Sequence, residues 1–387
     1  LGAGHTHGTE VPASRRARLI TLAILVPLAV ATLIAMVLMW PGEIKNTGGQ
    51  GPERLEGTIS SVTLKPCPEP IPGEGEPDPR TCGEAVVRTT DGKTVTALLP
   101  SGPGSQIFVD GEDVIVINTG DFYQVSDHDR TSALWVFGAA FALAVVAFGR
   151  WKGVTALIGL GVTFVILLLF IIPGILQGEP PLLVAIVGSS AIMLTVLYLT
   201  HGFTMGTSMA VLGTLISLSL TGALSYLSID FAHLSGITDE SSLYLGMSYA
   251  INTEGLLLAS IIIGSLGVLD DVTVTQAATV AELARANPAY GFRDLYRAAA
   301  RVGRSHIASV INTIVLAYAG ASLPLLILIS VAAQPLGEVI TNPAIAQEIV
   351  RSVIGTLGLI AAVPVTTALT ALVSARQPAA SSGRHRG

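Results

Sequence analysis

Two carboxylates stand side by side in the middle of an apolar run, Gly264-Ser265-Leu266-Gly267-Val268-Leu269-Asp270-Asp271-Val272-Thr273-Val274-Thr275. An acidic side chain at the centre of a membrane helix costs roughly 2.5–3.5 kcal/mol on insertion scales, so it normally turns to the bundle interior and serves protons, ions or a structural partner. An acid in hydrocarbon is cheaper neutral than charged, and two close acids disfavour double ionisation further. Proton carriage is the chemistry this permits. Neighbours on a helix point about 100° apart, so Asp270 and Asp271 need not share an environment.

Asp271 continues at helical spacing into Thr275, Thr279 and Glu282, a polar stripe that offers a path away from the pair. On these grounds Asp271 is expected to carry the proton and Asp270 to tune it. The next apolar run brings Ser305, Ser309, Asn312 and Thr313 to one face, a counterpart that can meet the first stripe if the helices are antiparallel neighbours. Ser and Thr in membrane helices also serve as plain interhelical glue, and that reading stays open. The sequence offers the acids no basic counter-ion inside a span, Arg351 at the outer end of the last one being the nearest approach. His201, His233 and His306 fall on different sides of the membrane and form no common site. The His5 and His7 pair in GHTHG is a tract of the chain end rather than a built metal site.

The elements that hold these residues follow from composition. Half of the 387 residues are hydrophobic, 12% are charged, and the mean hydropathy is +0.65. That is a membrane profile. Spans of the required length, about 20 apolar residues, occur at 19–40, 133–149, 153–176, 181–199, 204–227, 255–283, 305–333 and 345–373. The first is too long for a signal peptide and lacks its small-residue cleavage site.

Basic residues fix the orientation, because positively charged loops stay inside. They group as Arg15, Arg16 and Arg18; Arg150 and Lys152; Arg285, Arg293, Arg297, Arg301 and Arg304; and Arg376, Arg384 and Arg386, while the loops at 177–180, 228–254 and 334–344 hold no Lys or Arg. Eight spans with both termini cytoplasmic satisfy this alternation. Within the third group, Arg293, Arg297, Arg301 and Arg304 recur on one helical face opposite Phe292, Leu295, Ala299 and Val302. The segment reads as an amphipathic helix on the inner leaflet, or as arginines that merely enforce topology.

Residues 41–130 hold 15 acidic and 7 basic residues, a local net charge of −8. Here the pattern changes to β-prone runs at Gly57–Leu64, Ala85–Thr90, Thr94–Leu98 and Val114–Asn118, punctuated by Asp91-Gly92 and Asp110-Gly111 as hairpin turns. Four or five short strands suggest a small OB-type barrel. Cys67 and Cys82, the two cysteines, close the loop CPEPIPGEGEPDPRTC, and a disulfide suits a domain held outside the cytoplasm.

The stretch RVGRSHIASVINTIVLAYAGASLPLL (Arg301–Leu326), and more broadly residues 150–375, resembles the YibE/F-like family of multi-spanning bacterial membrane proteins. The resemblance implies one leading span, an extracytoplasmic β domain and a helical bundle, and it carries no established activity. GVLDDVTVTQAATVAEL (Gly267–Leu283) is also similar to the aspartate-bearing helix of the proton-driven RND superfamily and its protein-export relatives. That similarity implies a coupling proton on the Asp-Asp element and a half-transporter that pairs as a homodimer or higher assembly. The intramembrane lysine of many exporters and their large inserted domain have no counterpart here.

The sequence therefore predicts an α-helical polytopic protein of the bacterial inner membrane with about eight transmembrane helices and a small extracytoplasmic all-β, OB-like domain. Its divisions are a cytoplasmic tail at 1–18, helix 19–40, the β domain at 41–130, a seven-helix bundle at 131–375 that is half-RND-like from about 153, and a cytoplasmic tail at 376–387. A proton-motive-force-coupled transporter or export-assisting protein is the leading expectation, with an envelope scaffold whose β domain binds a partner protein as the alternative. No enzyme activity, cofactor or nucleic-acid partner is expected; the lipid bilayer and a second copy are. The topology has a direct test. Single cysteines at Gly178 and Gly337, in a chain without Cys67 and Cys82, should react with an impermeant thiol reagent from outside, and one at Asn287 should not. The opposite labelling of any of them contradicts the alternation.

Overall fold

In a computed structural model the described residues are 14–42, 52–69, 75–237, 240–331 and 335–375. The His5 and His7 tract and Arg376, Arg384 and Arg386 lie outside them. The chain divides into two compact units, one of residues 45–150 and one of residues 1–44 with 151–387.

The smaller unit contains β1 (Glu53–Leu64), β2 (Gly83–Thr89), β3 (Thr94–Leu98), β4 (Asp113–Asn118), β5 (Tyr123–His128) and α2 (Thr131–Gly149). The strands close into a barrel in the order β1-β2-β3-β5-β4, with β3 and β5 parallel over Ala97↔Tyr123 and Leu98↔Gln124. The long first strand pairs with β2 along one part and β4 along another, and a register shift between Ile59 and Ser61 lets it bend between them. Alternate residues point inward and build the core, Ile59, Ala85, Val87, Val95, Ala97, Val114, Val116 and Val125, with Leu99 and Phe108 capping it. Gly57 is required by the crowding: a methyl there would lie 2.7 Å from both Arg88 O and Val87 Cγ1.

Asp91-Gly92 makes the β2–β3 turn as expected, with Gly92 at φ +86° and Gly92 N–H donating to Thr89 O. Asp110-Gly111 does not join a hairpin, because β3 and β4 are not neighbours. Instead Asp110 Oδ1 accepts from Val62 N–H at 2.7 Å and Gly111 N–H donates to Ile59 O, so the turn docks against the bend of β1. The second tight turn is Thr119–Phe122, between β4 and β5, where Gly120 adopts φ +93°. Its strand, Tyr123–His128, is too polar to stand out by hydropathy.

Cys67 and Cys82 are disulfide-bonded, with Cα atoms 5.2 Å apart. Asp78 sits inside the loop they close and accepts from Arg80 Nη2 at 2.7 Å, and the Arg80 guanidinium and backbone N–H hold its carboxyl down at about 2. At the other end, Arg130 and Gln106 hold the Asp127 carboxyl well below the usual carboxylate range. No residue of α2 is buried, although the helix is apolar throughout.

The larger unit is helical: α1 (Arg15–Leu38), α3 (Trp151–Ile166) running through a π turn into α4 (Ile172–Leu176), α5 (Pro181–His201), α6 (Met205–Phe231), α7 (Glu240–Tyr249), α8 (Thr253–Ala286), α9 (Phe292–Ala321), α10 (Leu323–Val331), α11 (Leu336–Thr341) and α12 (Pro343–Ser374). Among the described residues seven helices, α2 included, are long and apolar enough to cross a membrane, or eight if the bent pair α9 and α10 is one span. The protein is accordingly a multi-pass membrane protein. α6, α8 and α12 form its centre, with α5 packed on α8 and α9 laid along α8 and α12. Small residues let these helices approach. A methyl on Gly358 would meet Thr221 Cβ at 3.2 Å, one on Gly213 would meet Thr366 Cβ at 3.1 Å, and one on Gly303 would meet Val363 Cγ1 at 2.6 Å.

Two expectations for the α9 region change. The arginine segment is not a separate helix, since α9 runs unbroken from Phe292 to Ala321. Its apolar side is taken up by protein: Leu295 and Ala299 pack with Val280 and Ala371. The span placed at 305–333 bends by 63° at Ser322, where Pro324 can neither donate to the Gly320 carbonyl nor fit beside it.

Closing the 15-residue loop contributes about 3 kcal/mol in the chain-entropy model. Unreduced, denatured protein should therefore present no reactive thiol, and Cys67→Ser with Cys82→Ser should lower the barrel's unfolding midpoint in urea. Two free thiols per chain would contradict the pairing.

Candidate functional site

α8 is 34 residues long, about 50 Å at 1.5 Å per residue, and exceeds the hydrocarbon thickness. Asn252 caps its start by accepting from Gly255 N–H at 3.0 Å, and its polar last turns carry Glu282 paired with Arg285. Asp270 and Asp271 sit midway. One turn on, Thr273 is fully buried and its hydroxyl lies 2.7 Å from that of Thr214 on α6. This bond sets the register of the two antiparallel helices and turns the Thr273 side of α8 inward.

The 100° step between consecutive residues then separates the aspartates. Asp270 is partly buried, with Oδ1 enclosed and without a hydrogen-bond partner among the described residues. Asp271 is exposed on the single chain. Thr275 and Glu282 share that exposed side, and Thr279 is half-buried and bonds back to Thr275 O at 2.8 Å. The stripe proposed from the spacing thus runs along the outside of the chain. On α9, Ser305, Ser309, Asn312 and Thr313 are likewise exposed, and Ser305 and Thr313 bond only to carbonyls of their own helix. No hydrogen bond joins the two stripes among the described residues. Arg293, Arg297, Arg301 and Arg304 are exposed, opposite the buried Leu295, Ala299 and Gly303.

The enclosed polar groups are others. Gln276 Nε2 donates to Thr367 Oγ1 at 2.7 Å and to Ala299 O at 3.0 Å, tying α8 to α12 and α9. From there a file of buried hydroxyls follows the α6–α8–α12 centre: Thr370 and Thr366, then Thr214 with Thr273, then Ser217, Thr221 and Ser265, then Ser225. Some bond back to their own helix, as Thr221 does to Ser217 O and Ser265 to Ile261 O. Among the described residues Ser217, Thr366 and Thr370 have no partner for their hydroxyls. Buried unpaired polar atoms are rare, and such groups mark strain, function or unseen water. Ser217 lies one turn from Thr214 and therefore level with Asp270.

The sequence carried a signal for this file, since Thr and Ser recur in α6 and α12 at three- and four-residue spacing. It could not show which of many polar positions faced inward. Arg351 stands not at a helix end but two turns inside α12, with Nε buried and without a partner among the described residues, and Nη1 donating to Glu348 Oε1 at 2.7 Å. Gly355 on α12 is level with Ser265, so Arg351 lies about nine residues, roughly 14 Å, from Asp270 along the axis and does not neutralise it. Among the described residues no group of three His, Cys, Asp or Glu side chains gathers as a metal site.

Gln276→Leu removes two buried bonds, to Thr367 Oγ1 and to the Ala299 carbonyl, a loss of about 1–3 kcal/mol. Gly358→Val forces α12 from Thr221. Both should lower the thermal midpoint of the solubilised protein by several degrees, and an unchanged midpoint in both would mean that the three helices are not packed as described.

A family model described as YibE/F-like protein matches residues 137–376. No curated protein and no solved structure matches the chain.

Proposed function

The chain belongs to the YibE/F-like family, and from that premise and the geometry of α8 we propose a proton-motive-force-coupled transporter or export-assisting protein of the bacterial inner membrane. The observation that carries the reading is Asp270: an acid midway along a membrane helix, with one carboxyl oxygen enclosed and without a hydrogen-bond partner among the described residues. A structural acid would be bonded. An unbonded one at this depth is suited to take up and release a proton, since its neutral form is the cheaper resting state in hydrocarbon.

Enclosure shifts the emphasis within the pair. Asp270 is the better proton carrier, because it adjoins the buried hydroxyl file, and Asp271 the group that modulates it. Ser217, Thr214, Thr273 and Thr366 are the stations along which a proton would approach. The similarity of Gly267–Leu283 to the RND superfamily supports the same assignment. In this reading both termini are cytoplasmic, the arginine face of α9 meets the inner leaflet, and the OB-like barrel with its disulfide is extracytoplasmic. The barrel's exposed Leu64, Leu98 and Phe122 offer apolar contacts to an envelope partner.

Complementation of a deletion strain, scored at several external pH values, tests the proposal. Asp270→Asn should abolish gradient-dependent function, at least tenfold, with membrane insertion unchanged. Asp271→Asn should give a partial loss or a shifted pH optimum. If the double asparagine variant complements like the parent at every pH, proton coupling through this pair is wrong, and a scaffold role built on the barrel takes its place.

A further inference from the structure

The exposed side of α8 is not a surface made for lipid. It presents Gly264, Gly267, Asp271, Thr275 and Ala278, small residues and one carboxylate, with no large apolar side chain. Other exposed helix faces in the molecule are of the opposite kind, as with Leu134, Phe137 and Phe141 on α2 or Phe164 and Val165 on α3. Acyl chains cannot answer a carboxyl group, whether charged or neutral. Something polar and close-fitting must cover this side.

α9 carries a second face with the same deficit. Ser305, Ser309 and Asn312 are exposed, and Asn312 makes no hydrogen bond among the described residues. No hydrogen bond joins the two faces within the chain among the described residues, yet they lie at equal depth. α8 and α9 are antiparallel, and their register is fixed where a methyl on Gly303 would lie 2.8 Å from Gln276 Oε1, with Ile307 and Val310 packing next along α9 against the cluster of Val272, Leu359 and Val363. That register puts Thr275 level with Ser305, Asp271 with Ser309, and Gly267 with Asn312.

A two-fold axis along the membrane normal preserves depth, so a second copy would bring its Ser309 to the level of Asp271 and its Asn312 to that of Gly267. The chemistry is complementary as well. The α8 face offers a carboxylate acceptor and open space over Gly267, where a methyl would have no neighbour within 4 Å. The α9 face offers hydroxyl and amide donors. α2 has no such groups in its interior, from Ala133 to Gly149, beyond the Trp135 indole.

We propose that a second copy of this chain covers Asp271, the Ser305–Ser309–Asn312 edge of α9 in each copy seating on the Gly267–Asp271–Thr275 stripe of α8 in the other. This requires only that the helices cross a membrane, and it stands whether or not Asp270 carries a proton.

Cysteine pairing in native membranes tests it with the full-length chain, whose own cysteines are bonded to each other. Two differently tagged copies are co-expressed, Gly267→Cys with Asn312→Cys in one experiment and Thr275→Cys with Ser305→Cys in another, then oxidised with copper phenanthroline. Disulfide-linked heterodimers are expected in both pairings, at least fivefold above a control of Gly267→Cys with Leu169→Cys, and native mass spectrometry of the unsubstituted protein should give an even number of copies. The same cross-links in an Asp270→Asn background separate this interface from proton coupling. A monomeric parent protein overturns the proposal, as do cross-links confined to two copies of Gly267→Cys, cross-linking within one chain between Gly267→Cys and Phe141→Cys on α2, or a dimer that forms neither heterologous link.

Discussion

Inside a bilayer no water completes a hydrogen bond, so every polar atom at that depth is answered by protein or left at a cost. The hydroxyl of Thr214 meets that of Thr273, Gln276 reaches both Thr367 and the Ala299 carbonyl, and Thr221 turns back to its own helix. These bonds need short distances between helix axes. Gly213, Gly303 and Gly358 supply them by removing the side chain where a neighbour's Thr, Gln or Val must fit. The α6–α8–α12 centre is therefore polar and tight together, because in this solvent hydrophobicity does not draw helices to one another. Against that background the unanswered Asp270 oxygen stands out.

The barrel lives under the opposite rule. Water can satisfy its outer strand faces, so buried and more exposed positions alternate along β2, β3 and β4 and the core forms from the inward half. Its ion pairs, Asp78 with Arg80 and Asp127 with Arg130, are exposed and local, and they order turns and strand ends rather than the core. Its entropy is limited instead by the Cys67–Cys82 bond across a proline-rich loop.

α9 joins the two regimes within one helix. Its first third carries the exposed arginines and buries Leu295 and Ala299 against α8 and α12; its second half is apolar with an exposed polar edge; and Pro324 turns the chain by 63° into α10. A segment that has the composition of a surface helix is continuous with a span because nothing between Arg301 and Ile314 breaks the backbone pattern, while Gly303 lets that junction press onto Gln276.

Period and composition determined much of this protein. Runs of about 20 apolar residues located the spans, alternation with Asp91-Gly92 located three of the five strands closely, and the isolated cysteines announced their pairing. These signals are local, and local sequence suffices where the environment is uniform along an element. Only the tertiary structure decided the rest. The β4–β5 turn and the docking of Asp110 on β1 depend on barrel closure, which pairs residues far apart in the chain. Which face of α8 is interior depends on the phase fixed by Thr214 and Thr273, and a shift of one residue, 100° on a helix, exchanges an enclosed aspartate for an exposed one. Two adjacent, chemically identical residues cannot be told apart by their own types; the helices packed around them make that distinction.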